Sequence, residues 1–450
     1  MKINNPITCA LLALGMISAA SIANADSTVV INGTTYNEVF ITGSTAARGN
    51  VFNAIDAATK GVFDSAPTLV PSTASGSTGA YDAYGTIGGQ PYCLCMDFSG
   101  SEAGLASLQA PNGVSLANGV DNDLGYYPNA TIPGTPEPTG FLNPNTQATF
   151  TAHPDLSMAD TSQAVSLTAP PLYPALTDYG IVGAVTFEWV KGKNSSPDSS
   201  WNDLTNVTDP QMNNLLSGSQ IAFYFTGNPS DQDDVYAVGR NRASGTHQNT
   251  MLDTLHGTAN NVDQFVVADC GYNSSGVLTN GPVEAVSTAG GIVEIFNDGF
   301  DSGSGVSAEL QCDEANAKDS AGFQLMLLGY VGISDGNSAI AAGARSLTLN
   351  GVPENDATVE NGTYSFWGHE HLYGTVSESS AVQTVAHALG GTTAVESFGA
   401  GTPNGALQNA GGLGGGEANP ASTQSTIISP EYMQADKPSG GDSGYAAPLL

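Results

Sequence analysis

Hydrophobic and polar positions along the chain switch repeatedly between a continuous apolar run and a helical spacing. Residues 37–42 (NEVFIT) read as a strand, a Gly-Ser-Thr turn follows, and Ala47, Val51, Ala54, Ile55 and Ala58 then recur on one helical face. The pattern predicts strand, small polar turn, helix, with the helix beginning at Ser44 and Thr45. The same grammar returns in PYCLCMDF, SGSEAG and GLASL, and again in DVYAVGR followed by SGTHQNTMLDTL. HPDLSMADTSQAV adds a tight polar turn after a short apolar step, and GGIVEIFNDGFDSGSGVSAEL a fifth turn-plus-helix. YGIVGAVTFEWV and LMLLGYVGIS read as buried strands, and a helix is expected to be capped at Asp209 with Pro210 in its first turn. Strands alternating with helices predict an α/β architecture with a largely parallel sheet. Residues 110–149, rich in Pro, Asn and Gly and without a period, read as an inserted surface loop, and the Gly-rich last fifty residues as a surface tail.

The N-terminus changes where the protein is expected to work. Lys2, an apolar stretch over residues 7–22 and Ala23-Asn24-Ala25 form the pattern of a cleavable export signal over 1–25, with the mature chain starting at Asp26 in the periplasm or outside the cell. No later apolar run reaches the length of a transmembrane helix. Ten Lys and Arg stand against 42 Asp and Glu, a formal net charge of −32. That charge argues against nucleic acid and anionic membrane surfaces as partners, and it suits a salty medium in which repulsion is screened. Once Cys9 leaves with the signal, four cysteines remain. Cys270 and Cys312 can pair in an oxidising compartment. Cys93 and Cys95, two apart on a strand, share one face and are either a strained bridge or buried thiols.

The candidate chemistry lies in the turns. A helix N-terminus offers free N–H groups and a positive dipole end to an oxyanion, and Ser or Thr hydroxyls add donors. Four small-residue turns do this: Gly43-Ser44-Thr45, Ser99-Gly100-Ser101, residues 157–160 (SMAD) and Ser244-Gly245-Thr246. A single such turn is ordinarily a plain N-cap. Here one of them follows Arg240 and Arg242, in a chain with only four Arg, and Arg is the residue that makes forked bonds to phosphate-like groups. Two other motifs weigh less. GDSG at residues 441–444 sits in the tail without protease-like flanks, and His369 and His371 share a strand face with no third ligand in the sequence. Neither an EF-hand nor a zinc spacing is present.

VGRNRASGTHQNTML resembles the Arg-x-x-x-Ser-Gly-Thr signature of the periplasmic phosphate-binding proteins of ABC uptake systems. ITGSTAARGNVF, DFSGSEAGL and PDLSMADTSQ resemble that family's other anion loops in the same order, and VTDPQMNNLLSG and LLGYVGIS also match. The resemblance implies a two-lobe α/β binding-protein fold of type 2, with the ligand cleft between lobes joined by a double-crossover hinge. It implies lobe I over 26–193, lobe II over 194–335, and a return to lobe I plus tail over 336–450. It implies a non-enzymatic, monomeric receptor that needs no cofactor and delivers inorganic phosphate to a membrane ABC permease. By resemblance, Ser44, Thr45, Ser101, Ser244, Gly245 and Thr246 donate to phosphate, Arg240 pairs with phosphate and Asp160, and Asp160 accepts the proton of hydrogen phosphate, disfavouring sulfate. Two positions depart from the pattern: Ala46 stands where an aromatic is expected, and Glu102 where a small residue is usual. The alternatives are a receptor for another oxyanion, an extracellular matrix or adhesion protein on the same fold, and a phosphate-ester hydrolase.

Overall fold

The structure is a computed structural model that describes residues 27–57, 61–109, 141–150, 152–170, 173–258, 260–267, 292–294, 299–300, 302–316, 322–376, 378–392, 398, 405–409, 426–437 and 447–448. The export signal with Cys9, residues 110–140 of the expected insertion, Cys270, most of the Gly-rich tail and the GDSG motif lie outside the described residues.

One sheet of 13 strands organises the chain. Its strands are β1 (Thr28–Ile31), β2 (Thr34–Gly43), β3 (Thr68–Val70), β4 (Ala80–Ile87), β5 (Gln90–Asp97), β6 (Leu156–Ala159), β7 (Thr177–Lys191), β8 (Gln220–Ile221), β9 (Asp234–Val238), β10 (Leu325–Gly332), β11 (Arg345–Ser346), β12 (Trp367–Gly374) and β13 (Ile427–Ile428). The order is β8-β9-β10-β7-β12-β6-β2-β5-β4-β3, with β1 on β2 and both β11 and β13 on β7. Strand β7 is the pivot. Its first half pairs with β12, and its last residues, from Phe187 to Lys191, pair with β10. Its apolar run is buried from Gly180 onward, as the sequence pattern requires of a strand covered on both faces.

The sheet is mixed rather than largely parallel. β2 runs parallel to β5 and β6, and β9 to β10, while β4–β5, β7–β10, β7–β12 and β6–β12 are antiparallel. Two causes are local and long-range respectively. Gly88 and Gly89, at φ 58° and 77°, form the two-residue turn that folds β4 back on β5. The other antiparallel pairs join segments far apart in sequence, which no local periodicity encodes. Trp189 stacks on Phe366 at 5.7 Å between ring centroids and meets Tyr330 edge-on at 5.6 Å, so one core runs beneath β7 from both directions. A second cluster built on Val238, Phe300, Val306, Leu310 and Val331 lies at the β9–β10 end.

The helices that matter are α1 (Arg48–Asp56), α2 (Ser101–Gln109), α3 (Asp209–Leu215), α4 (Gly245–Asp253), α5 (Gly303–Leu310) and α6 (Ile333–Ala341). Four of them follow strands β2, β5, β9 and β10, so their N-termini gather at the carboxyl edges of the parallel pairs, where open α/β sheets form crevices. Helix α3 starts one residue earlier than its sequence signal. Its cap is Thr208, whose N–H donates to Gln211 Oε1 at 3.0 Å, and Asp209 is already helical. The end of the expected insertion is not loop: Phe141–Leu142 pairs with Thr149–Phe150, and Phe40 packs against Phe141 and Phe150. Cys93 and Cys95 are free, buried thiols with sulfurs 3.9 Å apart, whereas Cys312 is disulfide-bonded to a partner outside the described residues. No described helix is long and apolar enough to cross a membrane.

Candidate functional site

Strand β2 ends at Gly43, at φ +114°, where a side chain would collide with the Met158 backbone. Ser44 then donates its N–H to Met158 O at 2.9 Å, and its Oγ accepts from the N–H groups of Ala46 and Ala47, both at 3.1 Å. This turn delays α1 to Arg48, three residues after the sequence start signal, and turns Thr45, Ala46 and Arg48 outward into a cavity.

Arg240 reaches the same cavity from the other side. Its Nε donates to Phe300 O at 3.1 Å and its Nη1 to Thr45 Oγ1 at 3.4 Å, which ties the β9 end of the sheet to the β2 end. The Arg240 carbonyl is held by His247 Nδ1 at 2.8 Å, Gln264 Nε2 at 3.2 Å and Tyr330 Oη at 3.3 Å. Burial pulls His247 down to about 3, so the ring is neutral under ordinary conditions and donates through Nδ1. Ser244 caps α4 by accepting from His247 N–H, and Thr246 in its first turn lines the cavity.

The cavity has a volume of about 250 Å³. Besides Thr45, Arg48, Arg240 and Thr246, its wall contains Ser302, Gly303 and Ser304 at the start of α5, and Ser334 and Asp335 at the start of α6. Ser302 caps α5 through Gly305 N–H at 3.1 Å, and its Oγ lies 2.9 Å from Ser304 Oγ. First turns of α1, α4, α5 and α6 therefore face one space that also holds two guanidinium groups. Each helix end carries roughly half a positive charge, an arrangement that can accept an oxyanion. The carboxylate on its wall is Asp335. The Asp335 carboxyl is held above the ordinary carboxylate range, because burial outweighs the pull of Arg240 and then of Arg48.

Of the eight residues the sequence nominates, Thr45, Arg240 and Thr246 line the cavity, and Ser44, Ser101, Asp160, Ser244 and Gly245 are not among the residues that line it. The N-terminus of α2 is already occupied: Glu102 N–H and Ala103 N–H both point at Ala243 O, at 3.0 and 3.4 Å. Ser101 Oγ accepts from Asp160 N–H at 3.2 Å. A Cβ on Gly245 would lie 2.7 Å from Asp160 Oδ2, so the glycine lets α4 sit directly against Asp160. Asp160 is buried, and its Oδ1 has no hydrogen-bond partner. Glu102 points away from the cavity, accepting from Thr161 Oγ1 at 2.8 Å and Leu167 N–H at 3.1 Å, which is why a carboxylate is tolerated there.

Sequence reasoning missed Arg48, Ser302, Ser304 and Asp335. Arg48 carried a signal, as a scarce Arg at the start of a helix. The fifth turn-plus-helix is legible in the sequence, but nothing local marks its serines as part of a site. Asp335 follows an apolar strand without any local mark. The histidines do not form a metal centre with the other described residues. His369 Nε2 pairs with Asp436 Oδ1 at 2.8 Å and His371 Nδ1 with Asp178 Oδ2 at 3.0 Å. Burial pulls His369 down to about 4, and no group of three His, Cys, Asp or Glu among the described residues is placed to hold a metal ion.

No protein-family model matches the chain, and no curated protein does. Solved structures do. One is described as a phosphate ABC transporter substrate-binding protein with bound phosphate from Clostridium perfringens, at 12% identity and TM-score 0.39, covering 78% of this chain and 91% of that one. Another is PstS from Borrelia burgdorferi, at 11% identity and TM-score 0.33, covering 77% and 90%. A third is a phosphate-binding protein from Stenotrophomonas maltophilia, at 10% identity and TM-score 0.33, covering 75% and 79%.

Proposed function

We propose that this protein is an exported receptor that binds inorganic phosphate between two lobes, 26–193 with the return over 336–450 on one side and 194–335 on the other, and passes it to a membrane ABC permease. The observation that carries the reading is the cavity where Arg48 and Arg240 meet four helix N-termini drawn from both ends of the sheet. A buried oxyanion there exchanges water for oriented N–H and hydroxyl donors and two cations. The strongly acidic exterior does not oppose this, because distant charges are screened within about 10 Å at 0.1 M salt while groups lining the cavity are not. Thr45, Arg240 and Thr246 contact the ligand in this reading. Ser44, Ser101, Asp160, Ser244 and Gly245 fix the turns that carry them.

The test is isothermal titration of the mature chain, freed of bound anion by unfolding and refolding, with phosphate. Micromolar or tighter binding that is lost in Arg240→Ala supports the receptor. A folded protein that takes up no oxyanion sinks it and favours a structural role outside the cell.

A further inference from the structure

We propose that the cavity also takes small phosphate monoesters with a hydroxyl-bearing organic group, of the glycerol phosphate kind, the phosphate lying at the buried end and the organic group running past Asn50 to the mouth. The inference rests on the oxyanion reading above and widens its ligand class.

The cavity is larger than a lone phosphate. At a water's share of the liquid of about 30 Å³, the four oxygens of phosphate take roughly 120 Å³ of the 250 Å³, which leaves about half for something else. The wall has a direction. Arg240, Thr246 and Ser302 are 3%, 4% and 4% exposed, whereas Ser77, Ser304 and Ser334 are exposed. A phosphate held at Arg240 therefore turns an oxygen toward the mouth, and a group esterified to that oxygen reaches solvent rather than core. Short side chains leave it room: Ala46, Gly49 and Gly76 line the cavity, and a Cβ on Gly76 would lie 3.2 Å from Gly49 Cα, so the turn that carries Ser77 packs closely on α1.

Asn50 supplies the recognition. It lines the cavity from α1, is 6% exposed, and its Nδ2 finds no acceptor among the described residues. A buried amide donor without a partner is costly, and a ligand oxygen is the acceptor it lacks. The phosphate itself is already served by Arg48, Arg240, Thr45, Thr246 and the N-termini of α5 and α6, so the amide is left for the alcohol part. Asp335, half-buried on the same wall, sets the charge of that part: it repels a second acid group and accepts from a hydroxyl.

The experiment is isothermal titration of the refolded mature chain near neutral pH with inorganic phosphate and with glycerol 3-phosphate freed of inorganic phosphate. The wild type is expected to bind the ester within about tenfold of the affinity for inorganic phosphate. Ala46→Phe, which fills the space beside α1, is expected to weaken the ester at least about tenfold more than it weakens phosphate. Asn50→Leu, similar in size but unable to donate, is expected to do the same. An ester bound more than about tenfold more weakly than phosphate by the wild type overturns the proposal while the receptor reading stands. An ester-to-phosphate ratio unchanged in both variants overturns it too, because a merely structural role lowers both affinities together. A folded wild type that binds neither ligand overturns both readings. Should Asn50→Leu not fold, Asn50→Ser is titrated under the same criterion.

Discussion

Asp82 offers a stringent test of the interior electrostatics. It lies on β4 opposite Cys95 on β5, fully buried, and neither carboxylate oxygen finds an oxygen or nitrogen donor. Burial pushes its carboxyl up from 3.8 to about 7, with the Cys95 thiol opposing and Glu38 adding slightly. A raised carboxyl means that the folded state holds its proton more tightly than the unfolded chain does. The stabilisation is therefore complete below the unfolded value of 3.8 and is lost as pH rises through about 7. A shift of about three units corresponds to about 4 kcal/mol across that window, at 1.36 kcal/mol per unit. Asp82→Asn removes the ionisation and keeps the shape. Denaturant unfolding of both proteins between pH 3.5 and 8.5 isolates the residue in the difference curve. The variant should be close to wild type at the acid end and more stable by up to about 4 kcal/mol at the alkaline end. A difference curve flat between pH 4 and 7 would show that Asp82 gains solvent or a donor when it ionises, and the argument would fail.

Other perturbations follow from the same geometry. Glu188, raised to about 7 by burial, should behave alike: Glu188→Gln stabilises the protein at pH 8 by roughly 3 kcal/mol and leaves it unchanged below pH 4.5, read by the same denaturation series. Gly245→Ala forces a methyl to 2.7 Å from Asp160 Oδ2, so it should cost about 1–3 kcal/mol in unfolding free energy and weaken phosphate binding by separating α4 from Asp160; wild-type melting and titration curves would refute this. Arg48→Gln should weaken phosphate binding by ten- to a hundredfold, about 1.4–2.8 kcal/mol, without lowering the melting temperature. Phe141→Ala, which strips the ribbon that packs on Phe40, should cost about 3–5 kcal/mol of stability and leave anion affinity unchanged.

The sequence by itself determined every element whose cause is local. Alternating apolar runs and helical faces placed β2, β5, β7, β9 and β10 and the helices after β2, β5 and β9, because strand burial and amphipathic spacing are written in neighbouring residues. Ser244-Gly245-Thr246 and Arg240 were legible for the same reason: a cap motif lies beside a rare cation. The tertiary structure decided what those motifs face. Ser101 begins a helix as its turn predicts, yet Ala243 O from a distant turn occupies that helix end, and Asp160 is not among the residues that line the cavity. Mixed strand direction has the same origin, since β7 chooses β12 and β10 through the packing of Trp189, Phe366 and Tyr330 and not through any local pattern. Asp335 joined Arg48 and Arg240 only because β10 docks beside β7 and carries the start of α6 to their cavity. Propensity and capping act over a few residues, whereas a binding site is a set of side chains from remote segments whose meeting is fixed by the core beneath them.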